Sequence, residues 1–382
     1  MIEGIITGLY TLASLIKNKI LAVIILTLGL IYLIATNYLN IDIIRNIDFN
    51  SIMILLGTYG VSKMFLKTNF IEYLINSVVE RASTYKSLII LLMTISFIVS
   101  GLINNIIVLA FLIPLIEEII KKNNIKSELL IENIIISSIL GSISTLTGSN
   151  NTIIMASYLN MNFLDFFFYD NRIGIYIITL IMFFIQILIV NISVKNEDFI
   201  GTTKEVEIKN QFNVYLFLTM VALLLISSLI NIKYLSGITT ILCLIVGLIK
   251  NKKMEKLNYD SIIIYALMFI YISIIKNMAY LDTITNIIIK LDSQALIYTL
   301  IFVISIGLSF VCDQVFVFYF LTTLIPKIVL KTNLIPMPLI YITYFGLIAG
   351  LFKRKEIKSI TAYQTIICML VSSYFLVAFL YF

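Results

Sequence analysis

Three short polar stretches interrupt long apolar runs, and they hold the side chains that could do chemistry. The first is Asn104-Asn105, between the apolar segments 87–103 and 106–120. Paired amides offer carbonyl oxygens to a cation such as Na⁺ and N–H donors to an anion, without a buried charge. An Asn pair also serves as a helix–helix hydrogen-bonding contact, and that plainer reading stays open. The second stretch is GSISTLTGSNNT, residues 141–152, in the middle of the apolar run 133–160. Two Gly, six Ser or Thr and two Asn in twelve consecutive positions break a helix. Half-helix N-termini made this way attract anions, and the freed carbonyls attract cations. A small-residue packing face would instead recur every fourth position. The third stretch is Asp313-Gln314 in SFVCDQVFVF. A carboxylate far from any Lys-rich boundary costs about 3 kcal/mol at membrane depth unless paired or hydrated, which makes it a candidate ion site.

The elements that position these residues follow from composition. The 382 residues are 60% apolar and 13% charged, with a mean hydropathy of +1.05. Soluble domains carry about 25% charged residues, and a span of the roughly 30 Å hydrocarbon core needs about 20 apolar residues. The chain therefore reads as a multi-pass protein of the cell membrane. There is no His, which excludes His-ligated zinc, Ser-His triads and His proton relays. Cys243, Cys312 and Cys368 lie far apart in apolar segments and suggest neither a disulfide framework nor a metal site. No enzyme is expected, and no cofactor beyond a coupling Na⁺ or H⁺. The net charge of +6 comes from Lys beside apolar runs, so nucleic acid is not an expected partner. The expected partners are a small inorganic or organic anion and membrane lipid, with a homodimer left open.

The polar stretch 191–213 divides the chain into a first membrane unit, 1–190, and a second, 214–382, and reads as a cytoplasmic linker. The units look like repeats. An offset of 210 places 47–77 on 257–287 and aligns Ser51 with Ser261, Glu72 with Asp282 and Asn76 with Asn286. Segment 40–50 carries a net charge of −1 and its counterpart 250–260 a net of +2, so the positive-inside rule puts them on opposite sides. The expected fold is an all-α integral membrane protein of two inverted-topology repeats. Each repeat carries a re-entrant hairpin; a broken transmembrane helix is clear in the first half only. The first hairpin has Asn104-Asn105 at its tip, because Lys86 and Lys121-Lys122 want its two ends on one face. Ser100-x-x-x-Asn104-Asn105 and Ser309-x-x-x-Asp313-Gln314 share a spacing, which predicts the mirror hairpin between 295–311 and 315–326. Pro114 and Pro326 are expected to end the second arms. Lys63 and Lys276 are expected to snorkel to the interface.

These residues resemble the ion-transporter superfamily that includes ArsB-type arsenite permeases, NhaD-type Na⁺/H⁺ antiporters, citrate-metal permeases and divalent-anion/sodium symporters. Four stretches carry the resemblance: Asp48 to Tyr73, Ser100 to Pro114 (SGLINNIIVLAFLIP), Gly141 to Asp165, and Ser309 to Val315 (SFVCDQV). The resemblance implies two hairpins and two broken helices meeting at a mid-membrane site. It assigns binding to Asn104, Asn105, Thr147, Gly148, Ser149, Asn150, Asn151, Asp313 and Gln314, with Na⁺ at Asn104, Asn105 and Asp313. Departures are Asn150 and Asn151 where the family has paired prolines, and Gln314 where it has Asn. No Gly/Thr-rich break is visible in the second half, although Gly346 and Gly350 are candidates for its remnant.

The function expected is ion-coupled secondary transport, by alternating access, of a small anion such as arsenite, another oxyanion or a dicarboxylate. Two alternatives stay open. One is an Na⁺/H⁺ antiporter using Asp313; the other is a divergent membrane protein that does not transport.

Overall fold

The structure is a computed structural model. It describes residues 6, 8, 9, 12, 19–36, 47–123, 127–203, 205–230, 232, 234–251, 259–275, 278, 280–291 and 293–381. Lys17, most of the segment 40–50, the lysines at 252, 253 and 256, and Lys276 lie outside the described residues.

The chain is helical almost throughout. The first part holds α1 (Lys19–Ala35), α2 (Phe49–Leu66), α3 (Phe70–Arg81), α4 (Tyr85–Leu102), α5 (Asn105–Asn123), α6 (Ser127–Ser144) and α7 (Asn150–Leu159). A small antiparallel ribbon of β1 (Phe168–Tyr169) and β2 (Arg172–Ile173) leads into α8 (Ile175–Ser193). Then follow α9 (Gln211–Ile230), α10 (Leu235–Asn251), α11 (Tyr259–Ile275), α12 (Tyr280–Ile289), α13 (Gln294–Ser309) and α14 (Gln314–Thr332). Last come α15 (Pro336–Gly346), a 3-10 segment Leu347–Lys353, and α16 (Ile360–Tyr381). Among the described residues, seven helical stretches are long and apolar enough to cross a membrane.

The element order repeats. Helices α2 and α3 start 210 residues before α11 and α12, and α4, α5 and α6 start 209 residues before α13, α14 and α15. Helices α3 and α12, absent from the apolar runs, carry the aligned acids Glu72 and Asp282 in their first turns.

Local chemistry sets the boundaries. Thr84 and Ser87 form a reciprocal capping box at the start of α4, satisfying N–H groups that the helix cannot. Asn160 and Asn333 end α7 and α14 in the left-handed conformation that Asn tolerates. Pro114 and Pro326 lie inside α5 and α14 instead of ending them, which corrects the sequence expectation. Each proline removes one backbone donor, a loss that helices packed in a membrane protein absorb by local adjustment.

Both ends of the α4–α5 hairpin meet one strap, residues 194–210. Tyr85 N donates to Glu197 O at 2.9 Å and Phe199 N to Ser83 O at 3.0 Å. At the far end, Thr202 N donates to Asn123 Oδ1 at 2.8 Å. Lys86 Nζ also reaches Asn191 O, at 2.8 Å. The α13–α14 hairpin closes in the same manner. Lys327 pairs with Asp282 of α12 at 3.0 Å, and Tyr298 OH donates to Ile335 O at 3.5 Å.

Two tight crossings hold the fold. Helix α2 lies on α10, where Asn50 Oδ1 accepts from Gly237 N at 2.9 Å and Thr240 Oγ1 donates to Met53 O at 3.3 Å. Helix α4 lies on α6 through small residues. Ser96 Oγ donates to Ile134 O at 3.0 Å, and Ser100 and Ser138 share a hydroxyl contact at 2.6 Å. A Cβ at Gly141 would collide with the Phe97 backbone. One carboxylate is fully buried: Glu132 of α6 accepts from Lys358 N at 2.6 Å, Ser359 N at 2.7 Å and the Ser359 hydroxyl. It thereby caps the start of α16 and pairs with the positive end of that helix.

Three outcomes follow from this packing. Gly141→Ala should destabilise the detergent-solubilised protein by about 1–3 kcal/mol through overpacking. Gly307→Ala, whose new Cβ meets open space, should leave thermal unfolding unchanged or slightly raised. Glu132→Ala strands buried N–H donors and should cost about 3 kcal/mol, read by circular dichroism melting.

Candidate functional site

The site begins at the tip of the first hairpin. Helix α4 stops because Ile103 turns extended, at φ −126° and ψ 141°. Asn104 is buried and uses both ends of its amide. Its Oδ1 accepts from Ile106 N at 3.1 Å, which caps α5, and its Nδ2 donates to Asn150 Oδ1 at 2.9 Å. Asn105 N donates to Gly148 O at 2.9 Å. The tip is thus tied to the 141–152 stretch at two points.

That stretch is a broken helix. Residues 145–149 unwind between α6 and α7, and every residue from 132 to 156 is buried. Thr147 Oγ1 donates to Gly101 O at 3.2 Å, and Thr145 Oγ1 donates to the same carbonyl. Ser149 caps α7 with a reciprocal Thr152 box. Gly148 must be glycine, because a Cβ there would meet Ser142 O and lie 2.8 Å from Ser100 O. Asn151 Oδ1 is buried with no hydrogen-bond partner among the described residues. The break therefore offers the N-terminus of α7 to negative charge and an uncommitted amide oxygen to positive charge.

The second half supplies the facing elements. Gln314 Nε2 donates to Leu347 O at 2.9 Å, where α15 gives way to the 3-10 segment. Among the described residues the second half has only this weaker interruption, a second break within a continuous helical stretch, in line with a break that is clear in the first half only. It is built by tightening the helix from α to 3-10, which frees a carbonyl without a Gly/Thr-rich loop. Gly346 and Gly350 do lie in it, at the end of α15 and inside the 3-10 segment. The second half has no short helix matching α7 between Lys353 and Ile360. Asp313 is exposed and caps α14, its carboxylate accepting from Val315 N at 2.8 Å. Its charge is thus met by a helix N-terminus, one of the ways a carboxylate in an apolar run avoids that cost.

The two halves meet where Tyr344 OH and Ser149 Oγ share a hydrogen bond, with the Tyr344 ring 4.9 Å from that of Phe318. Tyr344 was missed from the sequence; its signal is a hydroxyl in an apolar run two residues before Gly346. Arg354 was also missed as a site residue. It lines a cleft of about 330 Å³ with Ile106, Leu109, Ala110, Ile113 and Pro114 of α5. For Na⁺, the Asn104 and Asn105 contacts above belong to the first tip and Asp313 to the second. Among the described residues no group of three or more His, Cys, Asp or Glu could hold a metal ion.

Comparison with known proteins agrees with this architecture. The chain is similar to the crystal structure of the YdaH transporter of Alcanivorax borkumensis, with a TM-score of 0.51 and 12% identity. The likeness covers 92% of this chain and 88% of that one, and at this identity it concerns the fold alone. No curated protein matches the chain. The sequence model of the citrate transporter family, CitMHS, matches residues 10–351, nearly the whole length. A multi-pass helical membrane protein with this match belongs to the citrate transporter family.

Proposed function

We propose that the protein is a plasma-membrane secondary transporter of citrate or a similar small carboxylate anion, working by alternating access. The observation that carries this is the union of the first hairpin tip with the broken helix, Asn104 to Asn150 and Asn105 to Gly148, inside a chain of the citrate transporter family. The site is rich in amides and hydroxyls and holds no Lys or Arg between 132 and 156. A helix N-terminus offers only about half a positive charge, far less than a multivalent carboxylate needs. A cation must therefore travel with the substrate, and Asn151 Oδ1 is an acceptor with capacity for one. Na⁺ is the coupling ion an amide oxygen suits, whereas coupling to H⁺ would use a carboxylate such as Asp313.

Alternating access would come from two inverted repeats, 1–190 and 214–382, joined by the 191–213 strap on the cytoplasmic face. Supporting this, the first hairpin's ends meet the strap. Tyr298, near one end of the second hairpin, meets Ile335 at the start of α15, and Tyr341 of α15 packs on Tyr381 at the end of α16. Helix α16 begins at the Glu132 cap, on the side where α5 ends, so its far end lies away from the strap. An antiporter reading is favoured by Asp313, an exposed carboxylate at the second tip.

Proteoliposomes containing the protein should accumulate labelled citrate under an inward Na⁺ or proton gradient. Asn104→Ala and Asn150→Ala should each lower uptake about tenfold or more, since each leaves a buried amide unpaired. Absence of di- and tricarboxylate uptake under both gradients would refute the transport reading and leave a non-transporting relative. Asp313→Asn separates the antiporter: loss of pH-dependent Na⁺ flux with no citrate movement would support it, and surviving flux would remove it.

A further inference from the structure

We propose that the cleft between α5 and the turn after the second break binds one anionic phospholipid, its phosphate on Arg354 and an acyl chain along α5. The cleft has two chemistries. One wall is apolar: Ile106, Ala110 and Pro114, spaced four residues apart and all exposed, with Leu109 and Ile113 between them. From Ile106 to Pro114 this wall runs about 12 Å along the helix. Arg354 lines the other wall. Among the described residues no carboxylate lies within ion-pair distance of its guanidinium. Burial lowers its pKa, and Glu356, two residues on, opposes that from farther away. A half-buried guanidinium beside an apolar groove is incomplete without an anion.

An amphiphile satisfies both walls at once, whereas a small polycarboxylate would leave water to lie against five apolar side chains. The placement also suits a headgroup. Arg354 directly follows the apolar stretch that ends at Lys353, and Lys355 beside it is exposed. Basic residues clustered at the end of a span attract anionic lipids. Lys353 is turned elsewhere, donating to Cys312 O at 3.3 Å. A lipid held here would bear on both moving parts. Its chain would pack on the arm that begins at the Asn104-Asn105 tip, and its phosphate on the turn that continues from the second break.

The test is lipid retention by the full-length protein in nanodiscs mixed from phosphatidylcholine and phosphatidylglycerol, counted by native mass spectrometry. The wild type should retain phosphatidylglycerol preferentially. Arg354→Gln should lower that preference about fivefold, and Arg354→Lys should keep part of it. Ala110→Trp fills the groove without touching the charge and should also release the lipid. Equal retention of the two lipids by the wild type, or an unchanged preference in both Arg354→Gln and Ala110→Trp, would overturn the proposal. Displacement of the lipid by millimolar citrate or inorganic phosphate would overturn it too, assigning the guanidinium to a soluble anion. Because retention is read without transport, this outcome is independent of the citrate assay.

Discussion

An unwound backbone in an apolar setting must find every hydrogen-bond partner within the protein, and the rest of this structure depends on how that demand is met. The irregular segments satisfy one another. Gly148 O accepts from Asn105 N, Gly101 O accepts from the Thr145 and Thr147 hydroxyls, and the Asn104 and Asn150 amides close the remaining gap. In the second half the same exchange is reduced to one bond, Gln314 Nε2 to Leu347 O. Neither a tip nor a break could stand alone, so hairpin and broken helix form one structural unit in each half.

That mutual satisfaction needs close approach, which explains the composition of the α4–α6 contact. Between helices bathed in lipid there is little hydrophobic driving force, so packing and interhelical hydrogen bonds must hold them. Gly101, Gly141, Ser96, Ser100 and Ser138 let the two backbones meet and supply the bonds. Larger residues here would push Gly101 O away from Thr147 by more than a hydrogen bond tolerates. The small residues are therefore part of the site, although no ligand need touch them.

The sequence revealed those features whose signal is local. In a chain this apolar, amides and hydroxyls inside a run stand out, so both tips and the first break could be read directly, and the flanking Lys gave the hairpin its direction. The second break could not be read, because tightening Leu347–Lys353 into a 3-10 segment demands no special composition. Features made by distant contacts were equally hidden. Glu132 reads as one more charge near a span end until Ser359, 227 positions away, is placed beside it. Tyr344 becomes a site residue through Ser149, 195 positions away. Asp313 was located from its run, but its role as the α14 cap was not, since capping depends on how the hairpin is seated. The abundance of Asn hides a further use, as Asn69, Asn160 and Asn333 take left-handed turns elsewhere given to glycine.

The two halves reach a common plan with unequal means, and the inequality bears on how the site would work. The first half contributes a full half-helix, α7, with its N-terminus, its Ser149 cap and the free oxygen of Asn151. The second contributes a single glutamine, a 3-10 carbonyl and the Tyr344 hydroxyl. The polar groups that could recognise a ligand are thus concentrated on one side. At the site itself the joint is one hydroxyl pair, Ser149 with Tyr344, while the Asn50–Gly237 and Glu132–Ser359 contacts join the halves elsewhere. A neutral hydrogen bond contributes about 1 kcal/mol net. That one bond can open and reform within the free energy of a bound ion and anion. The mutual bonds within the first hairpin and break are several and buried. Opening of the site would therefore part the Ser149–Tyr344 bond and leave the first hairpin and break together.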